Sequence, residues 1–338
     1  MLDSDQHPDS GKLPSPPAGN TGWPWTEKCL LLSNRMADGS AWPKISVVTP
    51  SYNQGQFIEA AIRSVLLQGY PDLEYIMIDG GSTDNSLEII KKYEPWLAYW
   101  VSEPDRGQSH AINKGIRHAS GDILLWLNSD DLCLPDAFRR VVMAFRSDPA
   151  LRLVIGQARL IDRQGQVIGD LRSYFTSWDE VVTNPTNSVR QISTFFSRSL
   201  FDELGLIDES LQIAMDTELL VRFTQFHAPL ILDEYLTAYR THPNAKTHSQ
   251  IIKGYEESDR TRVKYFPNKK MASTYRRRSA ANWLSLSESD KLGSSERVVC
   301  MLHAAQNQPL ILVSRGFWSS LKKLVVDSLQ IITSTKVA

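Results

Sequence analysis

Cysteine is scarce in the sequence, with three in 338 residues. Cys29, Cys133 and Cys300 are far apart and form no Cys-x-x-Cys pair, so we expect neither a disulfide framework nor a zinc knuckle, and we expect a reducing compartment. An excess of charge is also lacking, because 37 Lys and Arg face 38 Asp and Glu, for a net charge of -1. This balance gives no electrostatic reason for non-specific binding to nucleic acid.

Long apolar runs are missing as well. No stretch of about 18 uncharged apolar residues occurs, so a membrane-spanning helix is not expected. The first residues contain no apolar segment of the signal-peptide kind, and this predicts a cytoplasmic protein. Residues 1–43 are rich in Pro, Ser, Gly and Asp, and we interpret them as a flexible N-terminal tail. Two tryptophans in Trp23-Pro24-Trp25 are expected to anchor this tail to the globular body.

From residue 44 onward, short apolar runs alternate with segments of helical spacing. Strands are predicted at 45–49, 73–78, 100–101 and 123–127. With helices between them, this alternation is typical of a doubly wound, mostly parallel α/β sheet. The second half of the sequence is less regular. There we predict strands at 153–155 and 167–168, helices at 200–204 and 217–226, and a mostly helical extension over residues 249–338.

Polar residues follow each of the first four predicted strands, in the loops 50–53, 79–84, 102–107 and 128–131. In a parallel sheet such loops gather at one edge, where ligands of these folds bind. Tyr52 could stack on a base, the carboxylate of Asp79 could accept hydrogen bonds from a base or a ribose, and Asp130 with Asp131 could hold a divalent cation. We predict a pocket for a nucleotide and a metal, although acids after a strand are also common in turns and caps.

Two common nucleotide-binding signatures are absent. No Gly-x-Gly-x-x-Gly follows the first strand and no Walker phosphate loop occurs, which disfavours dinucleotide dehydrogenases and Walker nucleotidases. Four segments instead resemble the family 2 glycosyltransferases of the GT-A fold: ISVVTPSYN (45–53), IDGGSTD (78–84), NKG (113–115) and GDILLWLNSDD (121–131). The resemblance covers roughly residues 44–245. It implies a Rossmann-like, mostly parallel sheet with a smaller acceptor-side half, a GT-A domain over 44–248, and a C-terminal helical extension over 249–338.

The activity that the resemblance implies is the inverting transfer of a sugar from a nucleoside-diphosphate sugar to a hydroxyl of a saccharide or lipid-linked acceptor. It also implies a divalent cation, Mn²⁺ or Mg²⁺, as cofactor, and a role in bacterial surface polysaccharide synthesis. A non-catalytic nucleotide-sugar-binding or assembly protein of the same fold is the alternative. A nucleotidyltransferase is disfavoured, because residues 49–56 contain no basic, glycine-rich loop for a triphosphate.

On the donor side, the resemblance assigns nucleotide-sugar binding to six residues: Pro50, Tyr52, Asn53, Asp79, Asn128 and Ser129. Two positions depart from the family pattern. Gly80 stands where a second acid often contacts the base, which leaves the choice of base open. Asn128 replaces the first acid of the Asp-x-Asp motif. Asp130 is therefore the leading metal ligand and Asp131 the next. His242 is a third candidate, although a lone histidine is more often structural.

On the acceptor side, Asp216 aligns with the catalytic base of the family, although its position also suits an ordinary helix cap. Glu218 replaces the second acid of the same motif. Gln191 begins the segment QISTFF (191–196), which resembles the lining of the acceptor side. We therefore expect Asp216 to act as general base, with Gln191 and Glu218 close to the acceptor.

Near the C-terminus, apolar residues fall on one helical face: Phe317, Trp318, Leu321, Leu324, Val325 and Ile332. A basic amphipathic helix over residues 314–333 could lie on the inner surface of a membrane. We favour packing against the catalytic domain and keep the peripheral membrane contact as the alternative.

Overall fold

The computed structural model describes residues 13–243, 245–289 and 292–324. The strands of the described chain are β1 (Ile45–Ser51), β2 (Leu73–Asp79), β3 (Tyr99–Ser102), β4 (Ile123–Trp126), β5 (Leu132–Cys133), β6 (Leu153–Ile161), β7 (Val167–Leu171), β8 (Thr194–Ser197) and β9 (Leu230–Arg240). They form one mixed sheet in the order β3-β2-β1-β4-β8-β6-β9-β5, with β7 paired to β6. The doubly wound α/β class predicted from the sequence is confirmed.

The helices that flank the sheet lie in the first two thirds of the chain: α1 (Ile58–Leu66), α2 (Ser86–Tyr93), α3 (Gln108–His118), α4 (Ala137–Ser147), α5 (Trp178–Thr183), α6 (Ser199–Leu204) and α7 (Met215–Phe226). Four further helices form the C-terminal part: α8 (Lys246–Ser249), α9 (Ile251–Val263), α10 (Lys269–Ser287) and α11 (Ser294–Asn307). Residues 315–324 are also helical. The helical C-terminal extension is therefore present.

The parallel half consists of β1 to β4, and side-chain alternation gives each face of this half its own core. Val47 packs with α1 and α4 on one face, whereas Val48 packs with α3 and α7 on the other. Burial of each such apolar side chain contributes about 1.5–3 kcal/mol. Helix α3 lies so close to β1 that a Cβ at Gly115 would collide with Val48. This close approach explains why glycine stands in the Asn-Lys-Gly segment.

The second half of the sheet has a different pattern. Strand β8 is antiparallel to both β4 and β6, whereas β9 is parallel to β6 and antiparallel to β5. Asn113 on α3 joins this half to the parallel half, because its amide accepts the backbone N–H of Ile207 (3.0 Å) and donates to the carbonyl of the same residue (2.9 Å). The loop before α7 is thereby fixed relative to the first four strands.

The chain before β1 contacts the sheet domain through backbone and indole groups. Trp23 donates its indole N–H to the Cys133 carbonyl (2.8 Å). Arg63 on α1 donates to the carbonyls of Pro24 (3.0 Å) and Trp25 (2.9 Å). The predicted tryptophan segment therefore lies against α1 and β5.

The helix at 315–324 lies near the end of α10. Ser320 contacts Glu288 there and is buried, as is Leu324, whereas Trp318 is 58 % exposed. Val325, Ile332 and the rest of the predicted amphipathic segment up to 333 lie outside the described residues. None of the helices in the described part of the chain combines the length and apolar composition needed to span a bilayer.

Candidate functional site

The carboxyl ends of β1, β2, β3 and β4 meet at one edge of the sheet. The parallel register sets Ser51 opposite Asp79, and Asp79 opposite Ser102. The backbone N–H of Leu127 bonds to the Val48 carbonyl (3.0 Å), which brings the loop after β4 beside the end of β1. The four polar loops of the sequence therefore border one region.

Asp79 is fully buried beneath this edge. Its carboxylate accepts the N–H groups of Gly81 (3.1 Å) and Ser82 (2.9 Å) and the hydroxyls of Ser82 (2.5 Å) and Ser102 (2.7 Å). With its oxygens occupied in this way, Asp79 shapes the 80–84 loop. This placement argues against the predicted contact of Asp79 with a base or ribose.

The loop after β1 presents an aromatic ring. Tyr52 is 59 % exposed, whereas Pro50 is buried within β1. Asn53 has a left-handed backbone (φ 52°), and its side-chain oxygen accepts the Thr83 N–H (2.8 Å). The ring of Tyr52 is therefore available to a ligand, while Asn53 connects the loop after β1 to the 80–84 loop.

Asn128 is the centre of a hydrogen-bond network. Its side-chain oxygen accepts from Gln108 (2.9 Å) and from the Trp126 indole (2.8 Å), and its NH₂ group donates to Asp131 (3.1 Å). Ser129 beside it is buried. These contacts leave Asn128 one N–H for a ligand, and they hold the start of the loop in place.

Asp131 points into the protein. It has no exposed surface, and its other oxygen accepts the Arg240 N–H (2.9 Å). Burial, and then the charge of Asp130, raise its pKa well above the ordinary value. This placement argues against Asp131 as the second metal ligand, because both of its oxygens already have protein partners.

Asp130 points the other way, toward His242. Its Oδ2 lies 3.1 Å from His242 Nε2, and its side chain keeps 19 % exposure against 3 % for the histidine. The imidazole is held by Phe57, whose ring centroid is 4.7 Å away, and Arg240 fixes the loop by donating to the Asp130 carbonyl (2.9 Å). The structure thus brings together a carboxylate and an imidazole that the sequence separates by 112 residues.

Asp216 lies in the first turn of α7 and is partly buried. Its Oδ1 accepts the Thr217 N–H (2.6 Å). Burial raises the pKa of this carboxyl above its ordinary value, while the Thr217 hydrogen bonds and the charge of Arg262 lower it in part. A partly dehydrated carboxylate of this kind is a stronger proton acceptor than an exposed one.

Tyr239 responds to the charges of two acidic positions, the Asp130–Asp131 pair and Asp216. Burial raises its pKa to about 12, and the charges of Asp131, Asp130 and Asp216 add to this effect. The loop after β4 and the start of α7 therefore lie within electrostatic reach of one tyrosine at the end of β9.

Gln191 and Glu218, which the sequence predicts close to the acceptor, are both buried. Gln191 is buried and donates to the Trp126 carbonyl (2.7 Å). Glu218 is buried in an ion pair with Arg222 (2.8 Å) and accepts the Tyr265 hydroxyl (2.6 Å). Both side chains support the site from within, which argues against direct contact with an acceptor.

Sequence reasoning missed two cations of this region. Arg190 is half-buried near Asp216 and Tyr239, and its Nε has no hydrogen-bond partner among the described residues. Lys246 is half-buried near Asp105 and Glu257, and burial lowers its pKa. Neither forms an ion pair with a described residue. No motif marks them, because each stands in the irregular half.

The fold is that of the GT-A glycosyltransferases. The mannosyltransferase PcManGT from Pyrobaculum calidifontis, solved with GDP-Man and Mn²⁺, superimposes with a TM-score of 0.56 at 18 % identity, over 85 % of this chain and 81 % of that one. S. aureus TarS 1-349 with UDP gives 0.55 at 16 % identity, over 79 % and 81 %.

Sequence comparison gives the family. The family model described as "Glycosyl transferase family 2" matches residues 46–205. An uncharacterized glycosyltransferase of Mycobacterium tuberculosis is 35 % identical over 206 residues, which are 59 % of this chain and 76 % of that one. Chondroitin synthase of Escherichia coli is 34 % identical over 131 residues, 38 % of this chain and 19 % of its own length. The chain belongs to glycosyltransferase family 2, and it is a glycosyltransferase.

Proposed function

We propose that the enzyme transfers a sugar, with inversion, from a nucleoside-diphosphate sugar to a hydroxyl of a saccharide or lipid-linked acceptor. The observation that carries this proposal is the pairing of Asp130 with His242 in the loop after β4. The charge of Asp216, like that of Asp130, raises the pKa of Tyr239, which supports a position of Asp216 in the same region. The nucleotides named with the two structural neighbours, UDP and GDP-Man, support a nucleotide-sugar donor.

The side chains present fit a divalent cation. Asp130 and His242 offer one oxygen and one nitrogen donor, a set that suits Mn²⁺ and is compatible with Mg²⁺ through the carboxylate. The described residues contain no group of three or more such ligands. Diphosphate oxygens and water would complete the coordination. When bound, the cation would neutralise charge on the diphosphate leaving group.

Asp216 is proposed as the general base. Its carboxylate takes the proton of the acceptor hydroxyl as that oxygen bonds to the anomeric carbon. The bond from this carbon to the diphosphate oxygen breaks, and its electron pair leaves with the nucleoside diphosphate. Attack opposite the leaving group gives inversion without a covalent sugar intermediate, so a second carboxylate nucleophile is not needed.

Neighbouring side chains are proposed to bind the diphosphate and to contact the base of the donor. Arg190 and Lys246 are half-buried and have no ion-pair partner among the described residues, so they suit the negative charge of a diphosphate. Tyr52 provides an exposed ring on which a base can stack. The remaining N–H of Asn128 is available to the donor.

The biological setting is proposed from the relatives. Chondroitin synthase, a relative over 131 residues, is a polysaccharide synthase by name. On this likeness we propose a place in bacterial surface polysaccharide synthesis, with a peripheral membrane contact through the C-terminal segment 314–333 as the alternative to packing of that segment on the catalytic domain. The exposed Trp318 supports that contact, since tryptophan favours the membrane interface.

The experiment measures nucleoside-diphosphate release from a panel of UDP-, GDP- and dTDP-sugars with saccharide primers, in Mn²⁺ or in chelator. We expect one donor to be turned over in Mn²⁺ only, and Asp130→Ala to lose at least about 10²-fold in rate. Asp233→Ala, which removes a 90 % exposed acid, is the matched control and should keep the rate. Equal release with chelator, or by Asp130→Ala, would contradict the metal assignment.

A further inference from the structure

Gly80 follows β2 directly, and the space beside its Cα is filled by Asp105. A Cβ at position 80 would lie 2.5 Å from Asp105 Oδ2 and 3.5 Å from Tyr52 Cδ2. The first distance is shorter than any normal contact of a Cβ atom. A side chain at position 80 and the observed placement of Asp105 are therefore mutually exclusive, and the Asp105 carboxylate stands where a residue-80 side chain would begin.

The Asp105 side chain is held by its own loop, which follows β3. Its Oδ1 accepts the Gly107 N–H (2.7 Å), and Gly107 adopts a positive φ of 116° that favours glycine. No described residue forms a hydrogen bond or ion pair with Oδ2. One oxygen therefore fixes the carboxylate, while the other is left available beside the exposed ring of Tyr52.

We propose that Asp105 is the residue that recognises the donor's base, with Oδ2 accepting an N–H from the base edge. This inference rests on the proposed function, because it needs a nucleotide stacked on Tyr52. It replaces the expected contact that Gly80 cannot make. Position 105 lies on a different loop and after a different strand from position 80.

The chemistry of a carboxylate sets the class of base. An ionised carboxylate accepts hydrogen bonds and donates none. Uracil and thymine present an N3–H on their pairing edge, and guanine presents an N1–H beside an NH₂ group. Cytosine and adenine also present an NH₂ donor, but the ring nitrogen beside it is itself an acceptor and repels a carboxylate oxygen. Asp105 therefore selects UDP-, dTDP- or GDP-sugars and disfavours CDP- and ADP-sugars.

The test measures dissociation constants of UDP, GDP, CDP and ADP by calorimetry in Mn²⁺, using the full chain. In Asp105→Asn, the side-chain oxygen still accepts from Gly107 while an NH₂ group replaces Oδ2. We expect the preferred nucleotide of the wild type to weaken about 10- to 100-fold, the effect of a lost hydrogen bond to a charged group. CDP should bind equally well or more tightly, because its ring nitrogen can accept from the amide.

Glu103→Gln is the matched control, since Glu103 lies on the same loop and pairs with Lys114 at the surface. It should leave all four dissociation constants unchanged. Gly80→Ala gives a second test: position 80 has no positive φ, so its main effect is to displace the Asp105 carboxylate. We expect it to reduce the same preference while the thermal midpoint stays near that of the wild type.

The outcomes separate this inference from the function it rests on. If the wild type bound none of the four nucleotides, the proposed function would fail and the inference with it. If the wild type bound them without preference, or if Asp105→Asn kept the wild-type preference, the inference alone would be overturned.

Discussion

Asp216 is connected to the C-terminal helices through a short series of polar side chains. Thr217 bonds to the Asp216 carboxylate and lies 3.3 Å from the Asn187 amide nitrogen. Asn187 in turn accepts from the buried Arg262 on α9. A cation outside the first 248 residues therefore acts on the proposed base.

This connection predicts how the pH dependence of the rate responds to Arg262→Met. The base must be deprotonated, so the rate falls as the pH drops through the pKa of Asp216. Removing the Arg262 charge removes an influence that lowers this pKa. The acidic limb of the rate profile should therefore move to higher pH. The measurement is the transfer rate at saturating substrates across the acidic and neutral range.

Two variants control this experiment. Arg262→Lys keeps the charge and should leave the limb near its wild-type position, although the hydrogen bond to Asn187 changes. Arg260→Met removes an exposed charge from the same helix and should have no effect. An unchanged acidic limb in a folded Arg262→Met variant would contradict the role given to Arg262.

At the level of single residues, the sequence identifies types of side chain more reliably than their tasks. It predicts acids at the carboxyl ends of the second and fourth strands, and the structure has Asp79 as the last residue of β2 and Asp130 in the loop after β4. It cannot show that loop N–H groups already occupy the oxygens of Asp79, or that the Arg240 N–H occupies Asp131. Whether a carboxylate faces a ligand or its own loop depends on backbone direction, which leaves no pattern in the residue types.

Among the secondary-structure elements, α9 holds the residues that precede α7 through hydrogen bonds. The Oε2 atom of Glu257 accepts the N–H groups of Gln212 (3.0 Å), Ile213 (2.8 Å) and Ala214 (3.1 Å). These N–H groups precede α7 directly, and a buried carboxylate at a helix N-terminus also complements the helix dipole. We propose that the catalytic unit extends beyond the predicted boundary at residue 248 and includes α9.

Glu257→Ala tests this extension through stability. The change leaves three N–H groups without their partner, so the free energy of unfolding should fall by about 1.5–3 kcal/mol or more. Glu256→Ala is the matched control. Glu256 is next to Glu257 in the chain, but its carboxylate is about half exposed and pairs only with His303 among the described residues. This variant should stay within about 0.5 kcal/mol of the wild type.

Chemical denaturation of the full chain measures both variants. Equal stability of Glu257→Ala and Glu256→Ala would mean that α9 does not support α7 through this carboxylate.

The elements of the first half were easier to predict than those of the second. Strands such as β4 are buried on both faces and stand out as apolar runs. The sequence does not predict strand β9 (LILDEYLTAYR), because its exposed middle carries Asp233 and Glu234 and interrupts the apolar pattern. The sequence does not predict strand β8, because this strand is short and lies in the segment that resembles the acceptor-side lining.

At the scale of the whole molecule, the sheet collects contributions from distant parts of the chain at one edge. The proposed donor side is formed by the loops after β1, β3 and β4, whereas the proposed base lies on α7 and His242 follows β9. The sequence predicted the fold class and the family, because the motifs that carry them are local. The pairing of Asp130 with His242 depends on long-range register, which no local motif specifies.

The most direct test of the account is to measure donor binding and transfer together in Asp216→Asn. A general base contributes about 10²–10⁴-fold in rate. We therefore predict a loss of that size in transfer, with the dissociation constant of the nucleoside diphosphate unchanged. Asp202→Asn, at an exposed position of α6, should match the wild type in both measurements. Transfer at the wild-type rate by Asp216→Asn would contradict the assignment of Asp216 as the base.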